Sequence, residues 1–167
     1  MKKIIFLLIL AIPGSCKNDE QHDKLFNPEN FDQLDLANIS GFWDVNSDID
    51  TSFDNEEFFQ INPDFIDGIW LHNEDKSVKI SVFTTRDIAL IAMDARIKTM
   101  ACAIKEGASD MIEGIWWYTD CMPSSVFVNQ WNTIIEVSYY HASYETVEDT
   151  LYTTANEIAR RIDFFSN

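Results

Sequence analysis

Residues 66–83 read Ile-Asp-Gly-Ile-Trp-Leu-His-Asn-Glu-Asp-Lys-Ser-Val-Lys-Ile-Ser-Val-Phe. Two stretches, Ile66 to Leu71 and Ser77 to Phe83, flank the polar Asn73-Glu74-Asp75-Lys76, a turn of hairpin length. In the second stretch Val78, Ile80 and Val82 alternate with Ser77, Lys79 and Ser81, the period of a strand with one buried face. A tight turn makes the two strands antiparallel, and that decides the class of the fold.

Working outward, Thr84 precedes Asp87 by three positions, the spacing of a capping box. Leu90, Met93, Ile97, Met100 and Ile104 follow at alternating steps of three and four. This predicts a long amphipathic helix ending near Lys105, with Gly107 as its stop. Three more strands follow, over 112–119, 124–130 and 134–140, with Cys121-Met122-Pro123 and Trp131-Asn132 as turns. Thr146 and Asp149 repeat the capping spacing, and Val147, Leu151, Ala155, Ile158, Ile162 and Phe165 form a helical stripe.

The expectation is an α+β domain over 63–167. It has an antiparallel sheet of about five strands in the order β-β-α-β-β-β-α, with two long helices packed on one face as a two-layer sandwich. At the level of fold alone this is similar to small uncharacterised exported α+β modules, which implies nothing about activity. Residues 28–62 read as an acidic, mostly irregular segment with one short helix, opened by Asn27-Pro28-Glu29 in the order cap, proline, acid.

Length and charge bound the function. The chain has 167 residues, 46% of them hydrophobic and 13% aromatic, enough for one well-cored domain. Its 28 acidic and 12 basic side chains give a formal net charge of -16, which repels phosphate backbones and excludes nucleic acid as a partner. The acidity is concentrated: residues 17–75 hold 16 acidic and two basic residues, against 12 and eight in residues 76–167.

The N-terminus carries the sharpest motif. Met1-Lys2-Lys3 is followed by nine apolar residues, Ile4 to Ile12, which fits the apolar core of an export signal and is far short of a membrane span. The run ends in Pro13-Gly14-Ser15-Cys16, which resembles the processing box of bacterial lipoproteins, with Pro13 in place of the usual branched aliphatic. The resemblance implies removal of residues 1–15 as a signal peptide, acylation of Cys16, and residues 16–27 as a flexible stalk. Several acyl chains, palmitate among them, anchor a protein stably. Lys17-Asn18-Asp19-Glu20 resembles a surface-export signal of outer-membrane lipoproteins, which implies an outer-membrane location on either the periplasmic or the cell-surface side.

Candidate chemistry is sparse. Asp44, Asn46, Asp48, Asp50 and Ser52 alternate in the oxygen-ligand rhythm of a calcium loop, making calcium the one cofactor the sequence suggests. Ile49 stands where an EF-hand needs glycine, and Asn55 where it needs the bidentate glutamate; the competing reading is a solvated acidic segment. Cys102 and Cys121 in an exported chain invite a disulfide. Against that, the expected helix and following strand separate them by roughly 20–25 Å at ~3.3 Å per strand residue, which favours free, buried thiols.

No catalytic residue emerges. His22 falls in the stalk, and His72 and His141 belong to no nucleophile or metalloprotease motif. Trp116-Trp117-Tyr118 are consecutive on a strand, so Trp116 and Tyr118 share a face; with Trp131 they would form an exposed ligand or partner platform. The alternative is that Phe31, Phe42, Trp43, Phe58 and Phe59 fold over that face and bury it. The sequence reading is a non-catalytic, lipid-anchored envelope or surface binding module. It engages the membrane through Cys16 and a basic protein partner through its acidic segment, in the manner of an inhibitor or immunity lipoprotein. A purely structural envelope lipoprotein and a hydrolase with an unrecognised site are the alternatives.

Overall fold

The computed structural model describes residues 24–167 apart from 40, 45–46, 53–61, 101, 109–114 and 120. Residues 1–23, which carry the expected signal peptide, Cys16 and most of the expected stalk, therefore lie outside the described residues. The strands are β1 (Asp50–Ser52), β2 (Phe65–His72), β3 (Lys76–Phe83), β4 (Ala103–Ala108), β5 (Ile115–Thr119), β6 (Ser124–Gln130) and β7 (Thr133–Tyr139). Helix α1 (Arg86–Lys98) follows β3 and α2 (Tyr144–Phe165) closes the chain; two 3-10 turns, Pro28–Leu34 and Leu36–Asn38, precede the sheet. Among these described residues, no helix is long and apolar enough to cross a membrane.

The class is α+β with one antiparallel sheet, as the hairpin implies. Among the described residues the sheet has seven strands rather than about five, in the order β1-β2-β3-β7-β6-β5-β4, and β1 and β4 are the additions. Both are poor in strand signals. β1 is the three polar residues Asp50-Thr51-Ser52 at an edge, and β4, Ala-Ile-Lys-Glu-Gly-Ala, has only one β-branched residue. Ile104, which completes the expected helical stripe, belongs to β4. Helix α1 ends at Lys98, where Thr99 caps it by donating its hydroxyl to the Arg96 carbonyl at 2.6 Å.

That earlier stop also corrects the cysteines. Cys102 sits just before β4, and Ala103 pairs with Thr119, so Cys121 lies opposite it across the open end of the β4–β5 hairpin. Their Cα atoms are 6.0 Å apart and they form a disulfide, not the two distant thiols that a longer helix would give.

The two helices lie on opposite faces of the sheet, which makes three layers rather than two. Val126, Val128, Ile135 and Val137 pack with Val147, Leu151, Ala155, Ile158 and Ile162 of α2. Phe127 and Ile134, one step along the same strands and so on the other face, pack with Phe83 and with Ala89, Ala92, Met93 and Ile97 of α1. Every residue of β6 is buried, the pattern of a strand covered on both sides.

The α2 face also receives the N-terminal segment. Phe26, Phe31, Leu34, Leu36, Ile39 and Phe42 join the core of α2 and the sheet, each large apolar side chain contributing ~1.5–3 kcal/mol on burial. Residues from Lys24 on thus belong to the domain and not to a stalk. The Leu25 amide donates to the Asn167 carbonyl at 2.8 Å and the Asn167 amide donates back to Leu25 at 3.2 Å. Buried Asn132 holds Phe26 by accepting from its amide (2.7 Å) and donating to its carbonyl (3.2 Å), and it also donates to the Phe83 carbonyl (2.7 Å). The cap read at Asn27 is present, its side chain accepting from the Glu29 amide at 3.1 Å.

Candidate functional site: an acidic cavity at the β2–β3 turn

Five acidic residues of the acidic stretch 17–75 line one place on the surface. An open cavity of about 550 Å³ is lined by Asp44, Ser47 and Asp48 of the N-terminal segment, Asp50 of β1, and His72 through Asp75 of the β2–β3 turn. Sheet register brings the two groups together, because Asp50 pairs with His72. The turn is set by Asn73, whose side-chain oxygen accepts from the amides of Asp75 (2.9 Å) and Lys76 (2.7 Å) while its own amide donates to the Lys76 carbonyl. The Tyr140 amide donates to the Asp75 carbonyl at 2.8 Å and ties the turn to the end of β7.

On the other wall, Gly41 takes a φ of +75°, a left-handed conformation natural to glycine, and turns the chain so that Phe42 enters the core. Trp43 donates its indole N–H to the Leu36 carbonyl at 2.8 Å. Lys76 then fastens this wall to β3. Its ammonium donates to the Phe42 carbonyl at 2.8 Å and to Asp44 Oδ2 at 2.9 Å, and lies 5.2 Å and 5.9 Å from the Tyr139 and Phe42 ring centres. A lysine only 10% exposed in its side chain thereby has two of its three donors bonded and its charge set against two rings.

Asp48, Asp50, Glu74 and Asp75 form no ion pair among the described residues. Carboxylates that line one cavity without cations of their own give it a negative potential that draws in positive groups. The calcium ladder is another matter. Asn46 lies outside the described residues, and Asp44 is committed to Lys76. Among the described residues no three His, Cys, Asp or Glu side chains converge to hold a metal ion.

The remaining candidates are dispersed. Tyr118 is stacked on Tyr144 of α2, with centroids 4.2 Å apart, and faces the core rather than solvent. Trp131 is 5% exposed and donates its indole N–H to Asp163 Oδ1 at 2.8 Å, with Lys24 and Arg86 5.5 Å and 5.7 Å from its ring centre. Neither belongs to an exposed aromatic platform, and the side chain of Trp116 lies outside the described residues. His141 is exposed past the end of β7. His72 reaches the cavity but stacks on Trp70 at 4.1 Å, and the Ser47 hydroxyl donates to the Asp44 carbonyl at 2.9 Å. Sequence reasoning missed the second wall of the site, although the acidic Glu74-Asp75 at a hairpin tip was a visible signal for it.

Compared with known protein families, curated proteins and solved structures, the chain has no significant match.

Proposed function

We propose that the chain is a lipid-anchored binding or accessory module of the bacterial outer membrane, periplasmic or surface-displayed, held through Cys16 and without a reaction of its own. Its acidic cavity engages a basic protein partner, as an inhibitor or immunity-type lipoprotein does. The observation that carries this reading is that Asp48, Asp50, Glu74 and Asp75 all line one open cavity. All four are exposed and so poised for a partner's cations. The Cys102–Cys121 disulfide supports an exported setting, since such bonds persist in oxidising compartments.

Crosslinking in intact cells tests the reading. The wild-type chain should capture a basic protein, and the triple variant Asp48→Asn, Asp50→Asn, Glu74→Gln should fold normally and lose it. If the two chains capture the same proteins, or none, the cavity is not the binding site. The burial of Trp131 and the partial burial of Tyr118 favour a second reading, a structural envelope lipoprotein. That reading expects the triple variant to behave as wild type in every assay.

A further inference from the structure

The domain has two ends, and they differ in character. β3 runs from Lys76 at the acidic cavity to Phe83, a span of about 23 Å at ~3.3 Å per residue. Helix α2 runs alongside the sheet, its first residue Tyr144 near the cavity end and its 22 residues covering about 33 Å at 1.5 Å per residue. The far end is marked by the Trp131-Asn132 turn, by the last turn of α2, and by the entry of the chain at Lys24 and Leu25. Lys24 pairs with Asp163 at 3.0 Å there, and Leu25 pairs through its backbone with Asn167.

Phe164 lies at this entry end. It is 80% exposed, more than any other large apolar side chain among the described residues. Beside it in sequence Asp163 binds both Lys24 and Trp131, so the last turn of α2, which carries Phe164, lies beside the point where the chain enters. Leu25 is 44% exposed, and exposed Arg160 precedes Phe164 by four residues, on the same side of α2. An aromatic, an aliphatic and the Arg160 cation, beside a Lys24 that Asp163 neutralises but leaves half-exposed, suit a surface that rests at a lipid interface, with apolar tips among the acyl chains and the guanidinium at the phosphates. Seven residues separate Cys16 from Lys24. Even fully extended, that spacer spans at most about 29 Å at ~3.6 Å per residue, so an anchored Cys16 keeps this end within that distance of the membrane and a contracted spacer brings it to the surface.

We propose that Phe164, with Leu25, Lys24 and Arg160, is a membrane-contact surface on which the anchored domain stands, its acidic cavity directed away from the lipid. The inference rests on the anchored reading of Cys16 given above and adds an orientation to it. The occupant of the patch is the phospholipid surface, chosen over a protein because the chain is tethered at this spot.

The test uses the lipid-bearing mature chain in phosphatidylcholine vesicles whose acyl chains are brominated, comparing Phe164→Trp with Met122→Trp. Met122 is 66% exposed and adjoins β6 at its cavity end, where Ser124 pairs with Tyr139. The emission added by Phe164→Trp should shift to the blue and be quenched by the bromines, while that added by Met122→Trp should not. Equal quenching of both, or of neither, overturns the orientation even when the protein floats with the vesicles. A Cys16→Ser chain should no longer float; if it floats as wild type does, the anchor reading falls, and quenching at position 164 then decides the contact surface alone. Dimerisation in sedimentation that Phe164→Ser abolishes would overturn the lipid assignment in favour of a second copy.

Discussion

Lys76 shows how a single side chain sets the candidate site. Its ammonium is nearly buried between two aromatic rings and satisfied by a carbonyl and a carboxylate, whereas the partner carboxylate of Asp44 is 69% exposed. The two ends of this ion pair should therefore be unequal. Replacing Lys76 with Met leaves the buried Phe42 carbonyl without its donor and should cost about 2–3 kcal/mol. Replacing Asp44 with Asn removes only an exposed partner and should cost less than about 1 kcal/mol. Denaturant unfolding of the two variants checks the ranking, and equal losses would mean that the pair, not the burial, matters. None of this was legible beforehand: Lys76 reads in sequence as one more polar residue of a turn, since its partners Phe42 and Asp44 lie more than thirty residues upstream.

At the scale of elements, the reading went furthest where periodicity was unambiguous. The β2–β3 hairpin, β6, β7 and α2 are close to where alternation and helical stripes put them. It failed at β4, where Ile104 fits a helical step of four as well as it fits a strand. A stripe records only spacing, and the capping of α1 at Thr99 is invisible to it. The disulfide is the consequence of that failure, because Cys102 is close to Cys121 only when the helix stops early. It closes a segment of 19 residues' separation, and a loop of this length should contribute about 3 kcal/mol through the unfolded chain. Its presence predicts that the non-reduced protein is two hydrogens lighter than the reduced one by mass spectrometry. Reduction should raise amide exchange in β4 and β5 first, since β4 is an edge strand paired to β5 alone.

At the scale of the whole molecule, the layer arrangement turns on Phe127. Val126 and Val128 mark one buried face, and a large aromatic between them demands a second, yet two amphipathic helices could satisfy a one-faced sheet equally well on paper. The N-terminal segment was harder still, because its apolar residues follow no period and find their partners only in three dimensions. Since Phe26, Phe31 and Phe42 share a core with α2 and the sheet, segment and sheet should melt as one cooperative transition. Phe31→Ala should lower its midpoint by a loss of about 3–4 kcal/mol. A separate early transition for the segment in a thermal scan would contradict this.

The closure at Lys24 and Leu25 also fixes an order of assembly. The earliest-made residues of the domain bond to Asn132, 106 residues later, and to Asp163, 139 residues later. Synthesis delivers the chain from its N-terminus, so Phe26 must wait, with its apolar surface uncovered, until the final helix has emerged. The domain is completed last at the place where it begins, and a chain cut short before α2 has no means of sealing its own first turn.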